Sequence, residues 1–191
     1  MSEKSSLHLR NLHRNSYDFE ALISVLPELK HYVFKNDYDT LTINFNIPKA
    51  VRLLNKALFL KYYNVKDWDI PEGNLCPPIP GRADYVHYLA DLLAEDNWEI
   101  PTGTPVKGLD IGTGANLVYP LIANHSYGWE MLGTDINPNS LENAQKILES
   151  NPDLEENIQL KLQPDSNLIF KNIILSKDRF TFSMCNPPFH E

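Results

Sequence analysis

The residues best suited to chemistry lie near the end of the chain, where Asn186, Pro187, Pro188 and Phe189 follow a short apolar run. The Asn186 side-chain oxygen and the Pro187 carbonyl can each accept one hydrogen of an amino group, which aims the nitrogen lone pair outward. The prolines fix the backbone in advance, and the ring of Phe189 offers a face for a flipped-out base. We interpret all four as candidate catalytic residues acting on the exocyclic amine of a base. The alternative is a rigid turn after a strand.

A glycine-rich turn, Asp110 to Gly114, follows another apolar run. Gly112 and Gly114 let the backbone approach a ligand and adopt dihedral angles that a side chain forbids, although such turns also serve tight packing. A dinucleotide fingerprint needs a third glycine where this chain has Leu117, so the turn argues against a pyrophosphate. Asp110, Gly112 and Gly114 are candidate cofactor contacts.

The next apolar run ends at Asp135, whose carboxylate can accept hydrogen bonds from both hydroxyls of an adenosine ribose. An Asp in this position can instead stabilise the N-terminus of the following helix. Because Asp135 comes after the glycine-rich turn, at the next strand end, we favour the nucleoside. A ligand with a ribose but no phosphate fits S-adenosyl-L-methionine.

These residues follow predicted strands in a strand–helix alternation that starts near residue 105. Such alternation predicts an α/β fold with a parallel sheet, and ligands bind at the carboxyl ends of its strands. The predicted strands are 106–111, 129–136, 158–163 and 179–186; the predicted helices are 117–125 and 137–151, the second capped by Asn137 with Pro138 in its first turn.

The first part of the chain predicts a mainly helical module. The segment 69–82 has four prolines and two glycines, which predicts an extended connector. We therefore divide the chain into a module over 1–81 and a domain over 82–191. The predicted elements around the connector are a helix over 17–34 broken at Pro27, a strand over 40–45, a helix over 47–63 and a helix over 83–95.

Composition restricts the classes of function. The chain has 191 residues with 42% apolar and 22% charged, as in globular proteins, and neither a membrane span nor a secretory signal is predicted. Cys76, Cys185 and the six histidines match no disulfide or metal spacing, so we expect a reducing cytoplasm and no metal. Residues 1–65 hold nine Lys/Arg against six Asp/Glu (+3), and the remainder eight against nineteen (−11). A basic head is compatible with a polyanion contact and equally with an ordinary surface.

Four segments carry a family resemblance: LHLRNLHR, DIPEGNLCPPIPGRADYVHYLADLLAE, DIGTGANLVYPLIANHSYGW and NPPFH. They resemble the bacterial 23S ribosomal RNA adenine-N6 methyltransferases of the F type and the eukaryotic relatives that methylate adenine in U6 small nuclear RNA. The resemblance implies a class I, Rossmann-like fold, S-adenosyl-L-methionine as cofactor and ribosomal RNA as partner. NPPFH alone does not exclude a guanine-N2 RNA methyltransferase, and the segment PPIPGRADY favours the adenine family.

The resemblance also implies roles for individual residues. Arg82 beside the glycine-rich turn can pair with the carboxylate of the methionine moiety, although a surface arginine at a helix start is the plainer interpretation. Asn167 stands in the loop after the third strand, where relatives place a cofactor contact. The implied cofactor contacts are Arg82, Gly112, Asp135, Asn167 and Asn186, and the implied RNA contacts are Arg10, His13 and Arg14.

The number of strands gives a further expectation. A complete fold of this class has seven strands, and the four predicted here fill the order 3-2-1-4. We expect the other strands to follow Glu191 in a longer enzyme, which leaves the fourth strand as an edge. An incomplete sheet keeps open a second class of function, a non-catalytic fragment that binds RNA or a nucleoside.

Overall fold

The computed structural model describes residues 6–94 and 99–187, and its N-terminal part consists of helices and one short antiparallel hairpin. The predicted break at Pro27 is confirmed, because a proline has no N–H with which to continue the preceding helix. The predicted helix is wrong at its end: Val33 and Phe34, residue types that favour strands, pair with Ile43 and Thr42. The elements are α1 (Phe19–Val25), a 3-10 helix (Pro27–Tyr32), β1 (Val33–Lys35), β2 (Leu41–Ile43) and α2 (Pro48–Tyr62).

The next helix, α3 (Ile79–Ala94), begins inside the segment predicted to be extended. Pro80 lies in its first turn, where the missing N–H removes no hydrogen bond. The prediction of extended chain up to Arg82 is therefore wrong at its end, and Arg82 lies on the first turn of a helix.

A four-stranded parallel sheet forms the centre of the molecule. Its order is β5-β4-β3-β6, which confirms the predicted order 3-2-1-4. Ile111 of β3 pairs with Thr134 of β4 on one side and with Cys185 of β6 on the other, so the carboxyl ends of these strands meet at one edge. The strands are β3 (Lys107–Ile111), β4 (Glu130–Asp135), β5 (Ile158–Leu162) and β6 (Phe182–Cys185).

Helices connect β3 to β4 and β4 to β5, as the alternation predicted, whereas a loop leads from β5 to β6. The cap of the second is confirmed, since the Asn137 side chain accepts a hydrogen bond from the Asn139 N–H at 2.9 Å and Pro138 begins the helix. The helices are α4 (Val118–Tyr127), α5 (Pro138–Glu149) and the short α6 (Pro152–Glu155).

One hydrophobic core joins the N-terminal part to the sheet. Leu22 and Leu58 belong to the same buried cluster as Ile122 and Met131, and the Trp68 indole N–H donates to the Asn116 carbonyl at 2.8 Å. The N-terminal part is thus fastened to the segment that follows the glycine-rich turn. The division at residue 81 stays a prediction.

Candidate active site

The carboxyl ends of β3 and β4 are joined through the backbone of the glycine-rich turn. The N–H groups of Gly112 and Thr113 both donate to the Thr134 carbonyl, at 2.8 and 2.9 Å. The Gly114 N–H donates to Asp135 Oδ2 at 2.8 Å. The turn is therefore fixed against the end of β4 by three backbone donors.

Gly112 shows why this turn needs glycine. Its φ is +77°, in the left-handed region, and a Cβ added there would meet nothing within 4 Å. The space above the backbone is open, so a ligand can contact the main chain directly. Gly114, with φ of +67°, shares the same constraint.

Asp135 is held in one orientation before any ligand binds. Its Oδ1 accepts from the Asn137 N–H at 2.8 Å, while Oδ2 accepts from Gly114. A carboxylate has about four acceptor positions, so two backbone bonds leave lone pairs for the hydroxyls of a sugar. Asp135 thus accepts a hydrogen bond at the start of α5 and also lines a pocket, and its contact with a ribose stays a prediction.

Two pockets meet at the turn and share Gly112, Asn186 and Pro187 in their walls. The first has a volume of about 400 Å³, and the second, on the Asp135 side, about 380 Å³. Each combines apolar side chains with a few polar ones, as small-molecule sites do. The first is also lined by Leu75, Pro77, Arg82, Val118 and Tyr119, and the second by Asp135, Ile136, Gln163, Leu168 and Ile169.

Arg82 and Asn186 come together across the first pocket. Arg82 Nη1 donates to Asn186 Oδ1 at 3.3 Å, and the Arg82 guanidinium carbon lies 5.7 Å from the centre of the Tyr119 ring. Asn186 follows directly after β6, and Pro187 after it is exposed. Pro188 and Phe189 lie outside the described residues, so their catalytic roles stay predictions.

Asp110 is buried beneath the turn, with only 1% of its surface exposed. Among the described residues, neither of its carboxylate oxygens has a hydrogen-bond partner. Its pKa is raised to about 7, chiefly by burial away from water and in smaller part by the negative charge of Asp135, while the nearby Thr113 side chain acts in the opposite direction. An unpaired buried carboxyl beside a pocket is a costly feature that indicates a function.

Asn167 does not line either pocket. It is exposed, and its backbone N–H and side-chain amide both donate to Asp165 Oδ1, at 2.9 and 3.1 Å. Its neighbours Ser166 and Leu168 line the second pocket instead. The loop was placed at the site by the sequence, whereas the assignment of Asn167 itself stays a prediction.

Several pocket residues escaped the sequence reasoning. Gln163 is buried and donates to the carbonyls of Ile169 and Lys171 at 3.3 and 3.0 Å, which holds the loop after β5 against the second pocket. Tyr119 on α4 reaches the first pocket. Its position two residues after Leu117, in the helix that follows the glycine-rich turn, was the only available signal.

The N-terminal segment carries the three predicted RNA contacts, and each of them has a partner within the protein. Arg10 donates to Asp91 Oδ1 at 2.6 Å, to the Tyr127 hydroxyl at 2.9 Å and to the His87 carbonyl at 2.9 Å. His13 is buried and lies 2.8 Å from the Tyr63 hydroxyl. RNA contact by Arg10, His13 and Arg14 stays a prediction.

We expect Arg10→Ala to lower the free energy of unfolding by about 1–2 kcal/mol, because it removes a charge-assisted bond and two further bonds from a half-exposed side chain. Urea unfolding followed by circular dichroism measures it. Lys35→Ala is the control, since the Lys35–Asp39 ion pair has a 2.7 Å separation but lies on an exposed turn. Equal losses of unfolding free energy in both variants would show that Arg10 does not hold the N-terminal segment to the rest of the protein.

The described ranges contain neither a cluster of metal ligands nor a helix that could span a membrane. Over 6–94 and 99–187, no three His, Cys, Asp or Glu side chains come together as metal ligands would. In the same ranges, no helix has the length and apolar character that crossing a bilayer requires. The pockets at the turn are the candidate site because Arg82, Asp135 and Asn186 line them.

Comparison with known proteins identifies the family. The chain matches the family described as RNA methyltransferase over residues 1–191. The ribosomal RNA large subunit methyltransferase F of Flavobacterium johnsoniae is 58% identical over 190 residues, which cover 99% of this chain and 60% of that protein. The chain thus spans about 60% of the length of this curated relative.

Solved structures show the same fold. The N-terminal domain of human METTL16 in complex with SAH matches with a TM-score of 0.84 at 32% identity, over 96% of this chain and 70% of that one. The human catalytic domain in complex with the MAT2A 3′UTR hairpin 1 matches with a TM-score of 0.81 at 33% identity, over 96% of this chain and 60% of that one. The predicted class I methyltransferase fold is confirmed, and the chain belongs to the RNA methyltransferase family.

Proposed function

We propose that this chain carries the cofactor site and the amine-binding turn of an S-adenosyl-L-methionine-dependent enzyme that methylates N6 of one adenine in 23S ribosomal RNA. The observation that carries the proposal is the position of Asn186, between the two pockets at the carboxyl end of β6. Support for the RNA class comes from the names of the relatives, and support for the adenine from the PPIPGRADY segment.

The residues at the site fit the cofactor. The open space above Gly112 admits a ligand against the backbone, and Asp135 offers fixed acceptors to ribose hydroxyls. Ile136, Leu168 and Ile169 provide apolar surface for the adenine ring on the Asp135 side. When bound, the cofactor supplies an electrophilic methyl group on a sulfonium sulfur.

The opposite pocket fits the other end of the cofactor. Arg82 offers guanidinium donors to the methionine carboxylate, which would make charge-assisted hydrogen bonds. The unpaired carboxyl of Asp110 lies beneath the turn as a potential counter-charge for the ammonium group. Together these residues would bind and orient the cofactor with its sulfur near the turn.

At the amine, this chain supplies acceptors. The Asn186 side-chain oxygen and the Pro187 carbonyl would each accept one hydrogen of the adenine amino group, which directs the nitrogen lone pair at the methyl carbon. With the cofactor bound, a carbon–nitrogen bond would form as its carbon–sulfur bond broke, and the amine proton would pass to solvent. The acceptors contribute positioning and electrostatics and need no general base of perturbed pKa.

The direct test is methylation of a panel of short RNAs with labelled cofactor. Label on adenine N6 supports the proposal, and label on guanine N2 would replace it with the alternative that the motif leaves open. No label on any base, with cofactor bound in a separate titration, would favour a binding fragment instead.

Cofactor binding gives a prediction for Asp135. Asp135→Ala should weaken binding of S-adenosylhomocysteine by about 1–3 kcal/mol, because charge-assisted hydrogen bonds to the ribose are lost. Isothermal titration calorimetry measures the affinity. Asp135→Asn keeps one acceptor for the turn, and its affinity should fall between those of the wild type and of Asp135→Ala. Asp153→Ala, which breaks an exposed ion pair with Lys66, is the control. An unchanged affinity of Asp135→Ala would remove this residue from the cofactor site.

A further inference from the structure

Arg82 occupies a more constrained position than a carboxylate-binding arginine requires. Its guanidinium is held on one side by the Tyr119 ring, at 5.7 Å from the ring centre, and on another by Asn186 Oδ1 at 3.3 Å. Tyr119 is itself buried and packs edge-on against Tyr85, with ring centres 5.4 Å apart. Arg82 therefore connects a fixed aromatic ring to the Asn of the amine-binding turn.

The chemistry of the pair determines which way the Asn186 amide faces. A guanidinium has five hydrogen-bond donors and no acceptor, so only the oxygen end of an amide can face it. The backbone before Asn186 is fixed, because Cys185 pairs with Ile111 in the sheet. Its side-chain torsions are not fixed by the sheet, and among the described residues Arg82 is the hydrogen-bond partner of the Asn186 side chain.

We propose that Arg82, held by Tyr119, is a positioning residue that turns the Asn186 oxygen toward the substrate amine. This inference rests on the proposed function and adds to Arg82 a role separate from pairing with a carboxylate. An amide oxygen has two lone pairs, so the bond from Arg82 leaves one for the amine hydrogen. At 3.3 Å the bond is at the long end of the usual range, so it orients the oxygen and withdraws little of its acceptor strength.

Tyr119 allows the two roles of Arg82 to be separated. Tyr119→Leu removes the ring that holds the guanidinium and leaves the positive charge available to a carboxylate. Tyr119→Phe keeps the ring but removes the hydroxyl. Tyr38→Leu, the same substitution at an exposed tyrosine outside both pockets, is the control. Arg82→Lys keeps the charge but lacks the planar fork that bridges the ring and the amide oxygen.

The first experiment measures single-turnover methyl transfer with cofactor and RNA both saturating. Tyr119→Leu and Arg82→Lys should lower the rate on the order of tenfold to a hundredfold, the size of effect that misplacing a reacting group produces. Tyr119→Phe should lose less than Tyr119→Leu, since the ring remains, and the control Tyr38→Leu should stay within about twofold. In an Asn186→Ala background, Tyr119→Leu should have no further effect, because the group that it positions is gone.

Two results would overturn the inference. One is a change confined to cofactor affinity, measured by calorimetry with S-adenosylhomocysteine, with the saturated rate unchanged. The other is a full additional loss from Tyr119→Leu in the Asn186→Ala background. Thermal unfolding of each variant in parallel identifies any that fail to fold, and Arg82→Lys, a substitution on a half-exposed helix turn, keeps the test valid if Tyr119→Leu unfolds.

A second measurement does not depend on activity. The side-chain amide protons of Asn186 give a pair of signals in ¹⁵N–¹H spectra, and one hydrogen-bonded orientation gives a distinct, sharp pair. Tyr119→Leu or Arg82→Lys should broaden or average these signals, and unchanged signals would contradict the positioning role. If the wild-type protein binds cofactor and methylates no base, the proposed function fails, whereas this measurement still decides the orientation of Asn186.

Discussion

Asn186→Ala is expected to lower the rate of methyl transfer by about 10²-fold or more while RNA affinity stays within about twofold. The Asn186 oxygen acts on the geometry of the amine nitrogen as the new bond forms. An interaction that strengthens in the transition state appears in turnover, whereas an interaction made equally in the bound substrate appears in affinity. Asn186→Ala should thus lower the rate of methyl transfer and leave the RNA affinity nearly unchanged.

The measurement is single-turnover transfer from labelled cofactor, with RNA binding followed separately by filter retention or fluorescence anisotropy. Gln145→Ala is a suitable control: Gln145 has the same side-chain amide, is exposed on α5 and lines neither pocket. Loss of RNA affinity equal to the loss of rate would assign Asn186 to substrate binding. Cofactor affinity is measured in the same series, because Asn186 lines both pockets.

The sequence was most informative where local chemistry leaves few options. The turn at Gly112 needs φ of +77°, which glycine adopts readily, so the pattern of glycines located the turn and the strand before it. Asn137 and Pro138 likewise marked the start of α5. The alternation of strands and helices indicated a parallel sheet, and the order of its strands followed from the fold class that the family resemblance implies.

Contacts between distant parts of the chain could not be predicted from the sequence. Arg10 is 81 positions from Asp91, and no spacing rule connects the two. Val33 and Phe34 continue a helical apolar pattern, yet they pair with β2, because tertiary partners override local periodicity in a short segment. The pocket residue Gln163 could not be identified from the sequence either, because its role depends on where the loop after β5 folds back.

The second large effect concerns the stability of Asp110 variants at different pH. The ordinary pKa of an Asp is about 3.9 in an unfolded chain, and burial raises that of Asp110 to about 7 in the folded protein. Between these values the folded state holds a proton that the unfolded state has released. The contribution of Asp110 to stability therefore falls as pH rises from about 4 to about 7, and is constant above.

Asp110→Asn is neutral at every pH and so avoids this loss. Without cofactor, we expect the variant to exceed the wild type by roughly 2–4 kcal/mol in free energy of unfolding at pH 8, and to match it near pH 4. Urea unfolding at a series of pH values measures the difference. Asp37→Asn, on the exposed turn between β1 and β2, controls for the change in net charge. Equal stability of variant and wild type at pH 8 would show that ionised Asp110 is compensated by its surroundings.

A stabilising substitution raises the question of why the chain keeps the carboxylate. Residues that reduce stability concentrate at functional sites, where they serve a ligand that is absent from the unliganded protein. Asp110→Asn should therefore bind S-adenosylhomocysteine more weakly than wild type while unfolding at higher urea concentration, because the cation of the ligand loses its counter-charge. Calorimetry at pH 8 on the same preparations gives the affinity for S-adenosylhomocysteine. A variant that gains stability and keeps full affinity would make Asp110 a packing residue and leave the charge balance of the site to Arg82 and Asp135.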